Sequence, residues 1–348
     1  MERIKLTQFS RGSGCGCKIA PDVLEKILKN NVVSIADTNL LVGNATKDDA
    51  AVYDLGNGTA LISTVDFFMP IVDDAFDFGR IAAANAISDV YAMGGKPLLA
   101  TAVLGWPIDK LPVELAQQVI EGAKTICNQA GITLAGGHSI DALEPMFGLS
   151  VNGIVDVKYL KKNSGAKVGD LIYITKKIGV GILATALKRG VLSDAHKTVF
   201  INQLTQLNNI GTALGELNYV TALTDITGFG LLGHLIEMVE GTNLSAQINY
   251  LDVPVIDGIQ DYTSKMIVPD NVYRNWNSFK QKVKNIGAES FFTLCDPQTN
   301  GGLMITISSE YQQEFETFLT KNNLSAFAKP IGKIIPKNDF CVEVCEAI

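Results

Sequence analysis

The pattern of apolar and polar positions becomes readable at Thr59. "TALISTVDFF" reads as a strand, and "FGRIAAANAISDVYAMGG" as a helix closed by Gly94 and Gly95. "PLLATAVLGW" predicts a strand. "PVELAQQVIEGAKTICNQAG" predicts a helix opened by Pro112 and ended by Gly131. "ITLAGG" and "MFGLSVNGIVD" predict further strands. Around 157–169 the chain turns polar and basic, "VKYLKKNSGAKVG", which marks a domain boundary. The second half begins again with a strand, "DLIYITK", and a helix, "VGILATALKRG". A long helical stretch follows over about Asp194 to Leu217. Strand "VTALTD" leads through a Gly-rich entry into helix "ITGFGLLGHLIEMVEG". After a less regular stretch come strand "GGLMITIS", helix "SEYQQEFETFLTKN" and a last strand near "FAKPIGKII". Both halves mix strands with helices, so the fold class is α+β (α/β mixed). The expected organisation is a mobile Gly/Cys-rich segment over 1–45, an N-terminal domain over 46–157 and a C-terminal α+β domain over 158–348.

Composition narrows the setting. The 348 residues suffice for one large domain or two ordinary ones. With 47% hydrophobic and 19% charged residues the chain is globular rather than disordered. A net charge of -7 and the lack of a Lys/Arg cluster argue against a nucleic-acid partner. Apolar runs are interrupted well before the ~18 residues of a membrane span, and "MERIKLTQFSRG" lacks the apolar core of a signal peptide. These features predict a cytoplasmic protein. In that reducing setting the six cysteines are not a disulfide framework, and the close pair Cys15 and Cys17 is reactive or metal-binding.

That pair sits in "GSGCGCK". The stretch looks like a phosphate loop but has Cys17 where Gly belongs and Ile19 where Ser or Thr belongs. Gly12, Gly14 and Gly16 make it a candidate lid that closes over a substrate. Lys18 can lower a neighbouring thiol pKa or meet a phosphate. The competing readings are a passive tail and a four-thiolate metal site with Cys341 and Cys345. Carboxylates form the second constellation: Asp48 and Asp49 in "NATKDDAAVY", Asp66 and Asp225 at strand ends, and Asp89 inside an apolar helix. Singly, each has a plain reading as a cap, a turn residue or a surface position. Together, acids in the most apolar surroundings of the chain point to a hard cation such as Mg²⁺ holding polyphosphate oxygens. "AGGHSID" adds a glycine pair with His138 and Ser139, fit either for a phosphate or for a tight turn. "CDPQTNGGL" reads as a structural turn, and Cys127 as core.

In order along the chain, "GSGCGCK", "NATKDDAAVY", "STVDFFMPIV", "NAISDVYAMGGKP", "LAGGHSID", "TDITGFGLLGH" and "CDPQTNGGL" closely resemble the selenophosphate synthetase family. "DDAA" and "TGFG" fit the wider aminoimidazole ribonucleotide synthetase-like superfamily, and "CGCK" narrows the resemblance. It implies a two-domain fold whose N-terminal mixed sheet forms a dimer-interface barrel. It implies that selenide, ATP and water become selenophosphate, AMP and phosphate. Cys15 matches the family's essential position and Lys18 its catalytic, ATP-contacting lysine; Cys17 matches a less critical thiol. Asp49, Asp89 and Asp225 match magnesium ligands. Thr46, Lys47, Asp48, Asp66, Gly137, His138 and Ser139 match nucleotide-binding positions, which Lys18 and Asp89 share. The resemblance further implies a homodimer, and a selenium-delivery protein is a candidate partner.

Overall fold

The computed structural model describes residues 4–10, 12–19, 23, 27, 37–43, 48–240 and 242–346, with Cys17 described in its backbone alone. Thr46 and Lys47 lie outside the described residues.

The first sheet is built from β1 (Leu40–Val42), β2 (Ala51–Asp54), β3 (Thr59–Phe68), β4 (Lys96–Trp106), β5 (Thr133–Asp141) and β6 (Met146–Asp156). Its order is β1-β2-β3-β6-β4-β5. The β4–β5 pair is parallel and the other neighbours are antiparallel. Helices α1 (Ala75–Ala92) and α2 (Val113–Gln129) cover one face only. Alternation on β3 follows from this. Ala60, Ile62 and Phe68 are buried toward α1, whereas Val65 and Phe67 stand exposed on the open face.

Helix α1 is buried almost all round, so it shows no narrow apolar stripe. The sheet covers one side of it and α2 another. Gly79 and Gly122 make the α1–α2 approach possible. A Cβ at Gly79 would lie 1.8 Å from the Val119 carbonyl oxygen, and one at Gly122 would lie 2.0 Å from that of Phe76. The remaining side of α1 meets the second half of the chain.

That half carries β7 (Leu171–Ile174), β8 (Val220–Asp225), β9 (Leu244–Asn249), β10 (Val283–Lys284), β11 (Leu303–Ile307), β12 (Gly332–Pro336) and β13 (Val342–Cys345). They form a mixed sheet in the order β10-β13-β9-β12-β7-β11-β8. Its helices are α3 (Val180–Lys188), α4 (Asp194–Thr205), α5 (Ile210–Glu216), α6 (Gly230–Glu240), α7 (Gln260–Thr263), α8 (Asp270–Phe279), α9 (Ala288–Leu294) and α10 (Gln312–Lys321). None of the described helices is long and apolar enough to cross a membrane.

The structure adds strands the sequence reading lacked, β1 and β2 before Thr59 and β13 after the strand read as last, and it redraws two elements. The single helix over 194–217 is two helices, α4 and α5, parted at residues 206–209. Asn208 in that break gives its amide to Ser88 Oγ (2.8 Å) and to the Gly301 carbonyl (2.9 Å). The strand read as ending at the glycine pair continues to Asp141. Gly136 and Gly137 (φ +143° and +154°) form a bulge where the β4–β5 register shifts between Ala100 and Ala102. A Cβ at Gly137 would lie 2.2 Å from the Ala102 carbonyl oxygen, so glycine there has a backbone reason of its own.

Candidate active site

The N-terminal segment lies docked at the seam between the two sheets. Gly14, at φ +51°, donates its N–H to the Met69 carbonyl (3.1 Å). The Cys15 N–H donates to Thr299 Oγ1 at 2.9 Å. Gly14–Cys17 then forms one 3₁₀ turn, closed by the Lys18 N–H on the Cys15 carbonyl (3.2 Å). Cys15 is only 1% exposed, and its Sγ–H points to Asn85 Oδ1 at 3.3 Å. The stretch expected to be a flexible loop thus buries its first thiol.

Helix α1 builds the floor. Asn85, Ser88 and Asp89 stand at i, i+3 and i+4, which puts them on one helix face. Asn85 Nδ2 donates to Asp66 Oδ2, and its Oδ1 also accepts the Asn300 N–H at 2.7 Å. Ser88 Oγ donates to Asp225 Oδ2 at 2.5 Å. Asp89 Oδ2 accepts from Thr64 Oγ1 at 2.5 Å. Thr64 and Asp66 are two apart on β3 and so face α1 together. From the other sheet, Thr224 on β8 donates to Asp49 Oδ1 at 3.0 Å, beside Asp225 at the strand end.

Charge is concentrated here beyond what burial tolerates alone. Burial, then Asp225 and Asp89, hold the Asp49 carboxyl well above the usual range. Burial, Asp225 and Asp66 do the same for Asp89. Asp225 is raised by burial, and the Ser88 hydroxyl, His234 and Lys18 oppose that rise. The Asp49 Oδ2 atom is buried with no hydrogen-bond partner. Lys18 Nζ stands 3.7 Å from Asp66 Oδ2 on a side chain 39% exposed. Asp66 first, then Cys15, Asp89 and Asp225, hold this ammonium protonated above its ordinary pKa against the opposing cost of desolvation.

The structure therefore brings Cys15, Lys18, Asp49, Asp66, Asp89 and Asp225 together. Asp48 lies beside them, with Oδ1 accepting the Asn163 N–H at 2.8 Å. Gly137, His138 and Ser139 sit elsewhere, exposed on edge strand β5. The rungs Asp66–Leu149, Leu149–Ala102 and Ala102–Gly137 place Gly137 three strand spacings from Asp66, about 14 Å. His138 pairs with Val103 on the open face of the sheet, away from α1. Among the described residues no three His, Cys, Asp or Glu side chains form a ready-made metal cage. Cys15 packs in the first core cluster and Cys341 in the second, which separates two of the four thiols of the tetrathiolate reading.

Sequence reasoning missed the neutral partners: Thr64, Asn85, Ser88, Asn208, Thr224, Thr299 and Asn300. The segment "CDPQTNGGL", read as a structural turn, is buried from Cys295 to Gly302 and supplies Thr299 and Asn300 to the thiol's surroundings. Its signal was a run of polar residues between two apolar elements, where a surface turn was the simpler expectation.

Comparison with known proteins adds to this geometry. Residues 47–155 match the model of the AIR synthase related protein, N-terminal domain, and residues 167–345 that of its C-terminal domain. The chain is 51% identical to the selenide, water dikinase of Photobacterium profundum over 348 residues, covering 99% of this chain and 100% of the relative. It is 50% identical to that of Haemophilus influenzae over 345 residues, covering 99% of each. Among solved structures, thiamine-monophosphate kinase from Stenotrophomonas maltophilia superposes with a TM-score of 0.66 at 18% identity, covering 95% of this chain and 98% of that one. Hydrogenase maturation protein HypE, solved in complex with ATP, gives 0.63 at 17% identity, covering 95% and 89%. At these identities the solved structures establish the shared two-domain α+β fold alone.

Proposed function

The chain belongs to the AIR synthase related family, among the selenide, water dikinases, and on that premise we propose how its own residues make selenophosphate from selenide, ATP and water. The observation that carries the reading is a buried thiol, Cys15, held beside one lysine and four acids at the seam of two sheets. The products are selenophosphate, AMP and phosphate.

Selenide at neutral pH is an anion, and so is the triphosphate. An acidic seam would repel both unless a cation intervenes. Asp49, Asp89 and Asp225 fit Mg²⁺: they offer only hard oxygens, repel one another, and leave Asp49 Oδ2 without a partner. Held by these three carboxylates, Mg²⁺ would supply positive charge that offsets the negative charge of the phosphates during phosphoryl transfer. Lys18 adds a protonated ammonium on the exposed side, where the γ-phosphoryl enters. Asp66 orients Lys18 and is itself held by the Asn85 amide.

AMP release requires cleavage of a second phosphoryl bond by water before selenium escapes. The docked Gly14–Cys17 turn supports a closed lid that keeps bulk water out of that sequence. Thr46, Lys47, Asp48, Gly137, His138 and Ser139 serve the nucleotide. His138 serves a second copy of the chain, since it lies on the sheet face away from the acids within one copy. Exposed Val65, Phe67, Leu99 and Ile140 on the open sheet face support such a homodimer. A selenium-delivery protein and a cytoplasmic setting complete the proposal.

The test is anaerobic ³¹P NMR of the protein with ATP, Mg²⁺ and selenide, beside a selenide-free control. AMP, phosphate and a selenium-coupled phosphorus signal are expected; ADP as sole product overturns the reading. Cys15→Ser should retain Mg-ATP binding while losing selenophosphate by about a hundredfold or more. Lost nucleotide binding in a folded Cys15→Ser protein would refute the assignment of Cys15 to chemistry.

A further inference from the structure

Lys176 follows β7 and is 3% exposed, yet no acid pairs with it among the described residues. Its Nζ donates instead to two backbone carbonyls, Gln206 at 2.8 Å and Asn300 at 2.9 Å. Burial pushes its pKa down to about 7, with Asp225 opposing that fall. An apolar side chain of similar length would fill this space without the cost of burying an ammonium. Packing alone therefore does not explain a lysine.

Each acceptor lies at the root of one arm of the candidate site. Asn300 passes its N–H to Asn85 Oδ1, the same atom that receives the Cys15 thiol. Asn300 holds a left-handed backbone (φ +46°), which asparagine adopts more readily than most residues and which shapes the turn. Gln206 opens the break between α4 and α5. Two residues on, Asn208 bonds Ser88, which bonds Asp225. The Asn300 side chain ties the arms together through the Leu204 and Gln206 carbonyls at 2.7 and 2.9 Å.

We propose that Lys176 is a positioning residue for the reaction, clamping the 206–208 break to the Asn300 turn so that Asn85 meets the Cys15 thiol while Ser88 meets Asp225. It touches neither thiol nor carboxylate. Its action runs through two short relays that end on different groups of the site, and this rests on the functional reading above. A clamp of this kind sets the relative placement of nucleophile-side and phosphate-side groups. Its loss acts on turnover rather than on nucleotide affinity.

The test compares Lys176→Met, which keeps the length and loses the donors, with wild type. Mapped alkylation of Cys15 by iodoacetamide should change in rate by about tenfold as the Asn85 relay relaxes. Turnover should fall by roughly a hundredfold, the scale of a small misplacement in a site, with KM for ATP within about threefold. If Lys176→Met does not fold, Lys176→Gln, which can still serve one carbonyl, takes its place and should show a smaller change in both. Unchanged Cys15 alkylation together with wild-type turnover in a folded variant overturns the proposal. The alkylation readout needs no selenide, so it separates failure of the clamp from failure of the dikinase reading.

Discussion

Asp49 and Asp296 are both buried carboxylates, and their surroundings predict opposite uses. Asp49 faces two other acids, Asp225 and Asp89, the setting expected of a hard-cation ligand, whereas among the described residues no acid faces Asp296. Asp49→Asn should raise the Mg²⁺ concentration for half-maximal turnover by about tenfold or more, read from activity titrations. It should also raise the melting temperature in the presence of EDTA, because one of three mutually repelling charges is gone. Asp296 lies in the "CDPQTNGGL" turn, where Oδ2 accepts the Gly181 N–H and the Gln298 amide, both at 2.8 Å. Burial pushes its pKa up to about 8. A raised carboxyl pKa means that the folded state keeps a proton the unfolded chain releases. Stability therefore falls as pH rises from the ordinary carboxylate range of about 4 toward 8. Asp296→Asn should flatten this slope, measured by urea midpoints across that range. An unaltered slope would mean that other groups carry the pH dependence.

Elements differ in how far their roles were visible before the structure. Strands over 59–68, 146–156 and 220–225 were legible to the residue, because each is an apolar-rich run bounded by a turn or a new element, the last two ending at an acid. Helix α1 was legible as a helix, and Asp89 inside it as an anomaly. What could not be read was the use of Asn85 and Ser88. A neutral amide or hydroxyl carries no period, and its value depends on a partner more than a hundred residues away. The stretch over 244–294 was called less regular because its elements are short: a six-residue strand, two helices under eight residues and a two-residue strand. The helix over 194–217 was read through its break because Asn208 turns the chain for a tertiary bond, which local propensity does not encode. The α1–α2 contact is a further case, since Gly79 and Gly122 look like weak points in good helices. Each instead lets one helix backbone touch the other. Gly122→Ala should cost about 1–3 kcal/mol of stability, seen as a lower urea midpoint. If Gly122→Ala stabilises the protein as alanine does in a free helix, the close approach is not what glycine serves.

At the scale of the molecule, the described residues leave the first sheet half covered. Helices take one face, while the other exposes Val65 (55%), Phe67 (48%), Leu99 (39%) and Ile140 (55%) on strands β3, β4 and β5. His138 shares that face, whereas Cys15 and the acids lie under the opposite one. A two-fold pairing of open faces would cover the apolar residues and carry His138 of one copy toward the acids of the other. Phe67→Asp should then turn a dimer into a monomer in sedimentation and reduce turnover with it. A sharper test uses two inactive proteins, Cys15→Ser and His138→Ala, unfolded and refolded together. If each site draws Cys15 from one copy and His138 from its partner, half the dimers are mixed and one site in each is intact. Turnover should return to roughly a quarter of wild type. If thiol and histidine serve the same site within one copy, no mixed dimer contains an intact site and activity stays absent. The position of His138 on the far face of its own sheet is the reason to expect the first result.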